Sequence, residues 1–284
     1  MKKLSRFLKI LGWSFLIIFI LGYVSFYFFT KPISDEAVLN KFKEFEIKPR
    51  LTSEIFKEYR FRKLTFINND TLPTMVFVHG TIGSSTDFIG YIVDSVLSKK
   101  ANFISYDRVG YNYHDKHETQ ASIAFEEYLL QYVTKDLNKS KTIIVGYSYG
   151  GPIALATKDM FKKIILVAPA VFSEVEPDFW FTNIYKWKFT RWLIPEVWKQ
   201  AGKEKLTHKE DLRKFEDDWT QNKNKILGIH GTKDIIVPFT NSKYLEEKFP
   251  ENQFELIKIP NANHYLIWTE FEQIREQFLN ALEE

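Results

Sequence analysis

The sequence predicts an α/β protein with a mostly parallel central sheet, helices on both faces and a helical cap insertion. Three observations carry that expectation. Short apolar, β-branched runs recur across residues 61–259 with helical patterns between them, as in strands covered on both faces. The stretch IIVGYSYGGPIALA, residues 143–156, sets a serine between glycines where one such run meets a helical one. Between 171 and 224 the alternation stops, with no convincing strand and five of the seven tryptophans, so this region reads as an insertion.

Residues 10–29, ILGWSFLIIFILGYVSFYFF, carry no charge. Twenty helical residues at about 1.5 Å each reach across a bilayer core. A cleaved signal peptide would have a shorter apolar region and a small-residue cleavage site, and residues 27–31 offer neither. An uncleaved transmembrane anchor is therefore expected over 1–30, with a cleaved signal or a buried core helix as the alternatives. Lys2, Lys3, Arg6 and Lys9 precede it, and Lys31 is the one basic residue immediately after it. That bias predicts a single-pass protein of the cell membrane, its N-terminus cytoplasmic and the domain that follows the helix outside.

Residues 31–60 are mixed and charged, and are expected to form a helical membrane-proximal linker. A single domain over 61–284 follows, with the insertion at about 171–224. Strands are expected at 61–67, 75–78, 103–106, 142–145, 164–167, 226–230 and 254–259. No internal repeat or low-complexity tract interrupts the chain.

The formal net charge of +3 comes from the N-terminus. Residues 1–30 hold four basic and no acidic side chains, so the rest carries 35 basic against 36 acidic. A nucleic-acid partner would need a clustered basic excess, and none is expected. The absence of cysteine excludes disulfides, thiol chemistry and cysteine-bound zinc. His114, Asp115, Lys116 and His117 lack further ligands in the sequence and read as a solvated loop, with no metal.

Gly146-Tyr147-Ser148-Tyr149-Gly150 fits G-x-S-x-G in the strand, sharp turn and helix that this motif requires. A tight turn crowds neighbouring backbone, so glycines flank the serine, whose hydroxyl is lifted above the sheet's carboxyl end. The helix that starts there aims its first amides at the same place. A serine hydroxyl is a weak nucleophile until a base accepts its proton, and that base needs a third group to orient it. ILGIHGTKDIIVP places Asp234 on the loop after one strand, and LIKIPNANHYLIW places His264 on the loop after another. Ser148, Asp234 and His264 are the candidate catalytic set, with Glu174 and Asp178 as substitutes for the acid.

With these motifs stand His79-Gly80 after an apolar run and Tyr106-Asp107-Arg108-Val109-Gly110. Together they resemble the α/β-hydrolase superfamily, in the branch with an HG oxyanion loop, a D-R-x-G loop and a helical cap, over about 61–282. The resemblance implies that Ser148 attacks a carbonyl, His264 carries the proton and Asp234 holds the imidazole. It assigns the oxyanion hole to the Thr81 and Tyr149 amides and leaves His79 structural. Where the family pattern continues D-R-x-G-x-G-x-S, this chain has Asn112 and His114 in place of the second glycine and the serine. Asparagine tolerates left-handed backbone, so the turn is expected to survive.

The resemblance says little about substrate. A cofactor-independent carboxylic ester hydrolase acting on a small-molecule or lipid-like ester is expected, with a peptidase or amidase, or a silent binding protein on the same fold, as alternatives. Phe179, Trp180, Phe181, Tyr185, Trp187, Phe189, Trp192 and Trp198 are expected to pack the cap onto the core, some of them lining an acyl pocket or meeting the bilayer interface.

Overall fold

The computed structural model describes residues 2–114, 117–180 and 182–284. Its sheet is formed by β1 (Arg50–Phe56), β2 (Tyr59–Phe66), β3 (Thr74–Val78), β4 (Asn102–Tyr106), β5 (Thr142–Tyr147), β6 (Lys163–Val167), β7 (Ile226–Gly231) and β8 (Phe254–Ile259). The order is β1-β2-β4-β3-β5-β6-β7-β8. Pairs β1–β2 and β2–β4 are antiparallel, and every later pair is parallel.

Strands β3 to β7 are buried along their whole length, which is why they read as unbroken apolar runs rather than alternating ones. The pleat sends Met75, Phe77, Ile143 and Val145 to one face, where Ile274 and Phe278 of the helix Phe271–Glu283 cover them. It sends Val76, Val78, Ile144 and Ile164 to the other, beneath Leu129 and Leu130 of Ile123–Thr134 and Ile153 of Gly150–Ala156. Parallel strands in register bring their carboxyl ends to one edge, where loops from distant parts of the sequence meet.

The expected linker needs correction. Residues 31–60 are not a separate spacer, because β1 pairs with β2 over seven residues, and Val38, Phe42 and Ile47 are buried in the core. The packed domain thus begins well before residue 61. β1 is an edge strand, RLTSEIF, with charged and polar side chains on both faces, so it lacks the apolar pattern that reveals a buried strand. Arg62 fixes the start of this segment, donating to the Ile33 carbonyl at 2.7 Å and to Asp35 at 3.2 Å while pairing with Asp107 at 2.9 Å.

The cap has no strand among its described residues. It comprises the short helices Thr182–Lys186 and Lys188–Arg191, the longer helix Glu196–Leu212 and single 3₁₀ turns. Its aromatic rings divide. Trp219 is buried and donates its indole N–H to the Val171 carbonyl at 3.0 Å, whereas Trp180, Trp187, Phe189 and Trp192 are exposed rather than packed on the core. Phe181 lies outside the described residues. The N-terminal helix, α1 (Lys2–Phe29), contains one segment, Leu4–Phe29, long and apolar enough to cross a bilayer.

Candidate active site

Four loops at the carboxyl ends of parallel strands bring the predicted residues together: Thr81 after β3, Ser148 after β5, Asp234 after β7 and His264 after β8. The β5 turn is the most constrained. Ser148 has φ of 54°, a left-handed conformation costly for a side-chain-bearing residue. Backbone bonds hold it there: Ser148 N donates to Val167 O at 2.9 Å, and Ser148 O accepts from Gly151 N at 2.9 Å. The flanking glycines are obligatory, because a Cβ on Gly146 would lie 2.4 Å from Gly150 O and one on Gly150 would lie 2.1 Å from Val78 O.

Ser148 Oγ lies 3.1 Å from His264 Nε2, and His264 Nδ1 lies 2.7 Å from Asp234 Oδ2. With a carboxylate at Nδ1, that nitrogen carries the proton and donates it, leaving Nε2 to accept from the serine hydroxyl. The carboxylate bonded to His264 is Asp234, so neither Glu174 nor Asp178 holds that position. Asp234 is itself fixed, its Oδ1 accepting from the Ile236 and Val237 amides at 2.9 and 2.8 Å. Burial pushes its pKa up, but hydrogen bonds from His230 and His264, the His264 charge and the Val237 amide outweigh burial and hold it down to about 2. It stays ionised through the physiological range. Tyr147 supports the imidazole from below, its ring stacked on His264 at 5.2 Å and its hydroxyl donating to the His264 carbonyl at 3.0 Å.

The HG loop lies directly against the serine, since a Cβ added to Gly80 would stand 2.8 Å from Ser148 Cβ. Neither the Thr81 nor the Tyr149 amide donates to another group among the described residues, so both remain available beside Ser148. His79 is a structural brace. Its Nδ1 donates to Gly80 O at 2.7 Å and its Nε2 accepts from Arg108 N at 2.9 Å. Burial and then the nearby Arg108 charge lower its pKa well below the usual value, so it stays neutral. In the loop that departs from the family pattern, Asn112 reaches the Arg60 carbonyl and accepts from His114 N at 2.7 Å, while His114 Nε2 meets Asp35 at 2.9 Å. That histidine ties the loop to the segment after α1. Asp115 and Lys116 lie outside the described residues.

Sequence reading missed the group that secures this end of the site. Glu204, on the cap helix Glu196–Leu212, is fully buried and accepts from Arg108 at 2.7 and 3.1 Å, Tyr111 at 2.8 Å, Thr119 at 2.8 Å and Thr81 Oγ1 at 2.9 Å. Burial disfavours its charge, but the Arg108 charge and these hydrogen bonds leave its pKa below the ordinary value. It sits in the charge-rich run GKEKLTHKEDL, which looks solvated; the one available signal was that Arg108, in a buried loop, requires an acidic partner. His230, 3.3 Å from Asp234 Oδ2, was likewise read only as the end of a strand.

Above these groups opens a cavity of about 860 Å³, lined by Ser148, His264, Tyr149, Trp198 and, unexpectedly, residues of α1. Its size suits a medium-sized organic substrate.

A mostly parallel sheet with such groups gathered at its carboxyl end defines an enzyme class, the α/β-hydrolases. Residues 73–208 match the family described as alpha/beta hydrolase fold, and the chain has that fold. Solved structures agree on the fold. An esterase from Exiguobacterium antarcticum is 18% identical with a TM-score of 0.64, covering 79% of this chain and 96% of that one. A putative lipase from Acinetobacter baumannii is 17% identical with a TM-score of 0.67, covering 88% and 97%. Naproxen esterase from Bacillus subtilis is 17% identical with a TM-score of 0.61, covering 87% and 98%. No curated protein matches the chain.

Proposed function

We propose that the protein is a membrane-anchored serine hydrolase that cleaves carboxylic esters bearing an apolar chain. One observation carries this reading: the hydrogen-bonded row from Ser148 through His264 to Asp234 at the floor of a mostly apolar cavity. Ser148 Oγ forms a bond to the ester carbonyl carbon as its proton passes to His264 Nε2. The carbonyl π pair moves onto oxygen, where the Thr81 and Tyr149 amides stabilise it. Collapse breaks the bond to the leaving oxygen, which takes the proton from His264 and departs as an alcohol. Water then repeats the sequence on the acyl-enzyme and releases the acid. Asp234 keeps Nδ1 protonated and stabilises the imidazolium in both halves.

Amide or peptide substrates would need polar groups to receive their flanking backbone, and the walls away from Ser148 are mostly carbon. The esterase and lipase names of the structural neighbours favour the same side. The charge bias around α1 favours a catalytic domain outside the cytoplasm, accessible to protease added to intact cells.

A fluorophosphonate probe should label the full-length protein in membranes, and Ser148→Ala should abolish both labelling and ester turnover. Full turnover by the folded variant would remove Ser148 from its role. kcat/KM on p-nitrophenyl esters should rise from acetate to medium chains and exceed that on aminoacyl amides; the reverse order would turn the assignment toward a peptidase or amidase.

A further inference from the structure

The cavity over Ser148 has a wall that the catalytic domain does not supply. Phe19, Ile20, Tyr23 and Phe26 of α1 line it across from Leu193 and Trp198 of the cap. Their spacing puts them on one stripe of the helix. The Phe26 and Trp198 rings lie 5.6 Å apart at 48°, so the helix touches the cap. It is also tightly tethered. Thr30, Lys31 and Pro32 alone separate Phe29 from Ile33, whose carbonyl is held by Arg62, and Val38 and Phe42 follow in the core.

The surface around this wall is built for lipid. Trp180, Phe189 and Trp192 are 76%, 76% and 70% exposed on the cap, with Lys186, Lys188 and Arg191 among them. Rings and basic groups in this mixture belong at the boundary of headgroups and hydrocarbon. Depth gives an independent argument. Lys31 Nζ lies 5.0 and 4.4 Å from the centres of the Tyr27 and Phe28 rings, marking the polar end of the helix. From Phe29 back to Phe19 is about 15 Å of helix, half of a hydrocarbon core about 30 Å thick. A wall that reaches Phe19 therefore lies within one leaflet, and the exposed cap rings are what lets the cap sit there.

We infer that the membrane helix forms part of the substrate site. The chain of a bilayer-dissolved ester packs against the Phe19–Phe26 stripe, and it reaches Ser148 sideways from the leaflet, between α1 and the cap, without crossing water. The inference rests on the proposed role of Ser148 and specifies where the apolar part of its substrate binds. Each methylene spared exposure to water favours such a route by about fourfold.

The test uses the full-length chain in phosphatidylcholine vesicles and an alkyl fluorophosphonate with a diazirine at the tail of a medium-length chain. The head bonds covalently to Ser148; light then ties the tail to whatever it touches. The expected result is a crosslink between the Ser148 adduct and the peptide containing Phe19 to Phe26. A Ser148 adduct whose tail crosslinks only to cap or core residues would overturn the inference while leaving the nucleophile intact. Absence of a Ser148 adduct would instead overturn the functional reading. A second measurement compares p-nitrophenyl decanoate with p-nitrophenyl acetate. Ile20→Trp, which fills the cavity from the helix side, should lower the decanoate-to-acetate ratio of kcat/KM at least tenfold. Leu21→Ala, on a helix face that does not line the cavity, should leave that ratio unchanged. Equal ratios for Ile20→Trp and the wild type would also overturn the inference.

Discussion

The floor and the far wall of one cavity are built by opposite means. On the floor, Ser148, His264 and Asp234 are joined at 3.1 and 2.7 Å, and each is braced again by backbone or ring contacts. The far wall, α1 and the nearby cap, offers rings and methyl groups such as Phe19, Ile20 and Trp192. The difference follows from what the proposed function asks of each. Proton transfer and oxyanion stabilisation depend on direction and fail when groups move by fractions of an ångström. Binding an alkyl chain needs apolar area, which is non-directional and can be assembled from elements far apart in the chain.

The largest expected effect comes from breaking the floor. Asp234→Asn should cut kcat by about 10⁴-fold, since the amide removes the charge that fixes the His264 tautomer and stabilises the imidazolium. Because that change acts on chemistry, it should slow short- and long-chain esters alike. Measuring kcat/KM across the ester series checks this, and a loss confined to long chains would collapse the distinction between floor and wall.

The same contrast explains what the sequence made legible. Gly146 to Gly150, Asp234 and His264, which the structure brings together, stood out because the pattern they resemble sets fixed residue types at fixed places after strands, and the six strands from β3 onward announce themselves by apolar runs. β1 was invisible because an edge strand tolerates polar side chains on both faces. The α1 wall was invisible because apolar area has no motif, and α1 already had a sufficient explanation as a membrane anchor. Glu204 was invisible for a third reason: one carboxylate in a helix full of charges gives no sign that it points inward, and only the Arg108 loop 96 residues away decides it.

Glu204 is the joint between the two regions, so it gives the next prediction. It ties the cap helix to Arg108 and, through Thr81 Oγ1, to the loop that bears one of the two proposed oxyanion amides. Glu204→Gln leaves Arg108 buried beside a neutral group, at a cost of about 3–5 kcal/mol. Unfolding should occur at lower temperature, and kcat should fall by about tenfold with little change in KM, as expected when a transition-state contact is displaced. Thr81→Val separates the two roles by removing the single hydrogen bond while leaving the ion pair intact. If it lowered KM-dependent binding of long chains instead of kcat, Glu204 would belong to the wall rather than the floor.

The smallest effect on turnover is expected at Glu126, which lies behind Arg108 and away from the cavity, and it concerns stability as a function of pH. Glu126 Oε1 is 3.7 Å from Arg108 Nη1, close enough for an ion pair but too far for a hydrogen bond, and neither carboxyl oxygen has a hydrogen-bond partner among the described residues. Burial raises its pKa to about 8, with Arg108 opposing and Glu204 adding to the rise. An unfolded glutamate titrates near 4.3. The folded protein therefore keeps a proton that the unfolded chain releases, and this group's contribution to stability is lost as pH rises from about 4.5 to about 8. Glu126→Gln removes the titration while keeping the shape. Its melting temperature should match the wild type near pH 4.5 and exceed it progressively up to pH 8, with kcat within a few-fold throughout. A difference that did not change with pH would mean that Glu126 is ionised in the folded state, and that Arg108 shares its charge between two carboxylates instead of being committed to Glu204.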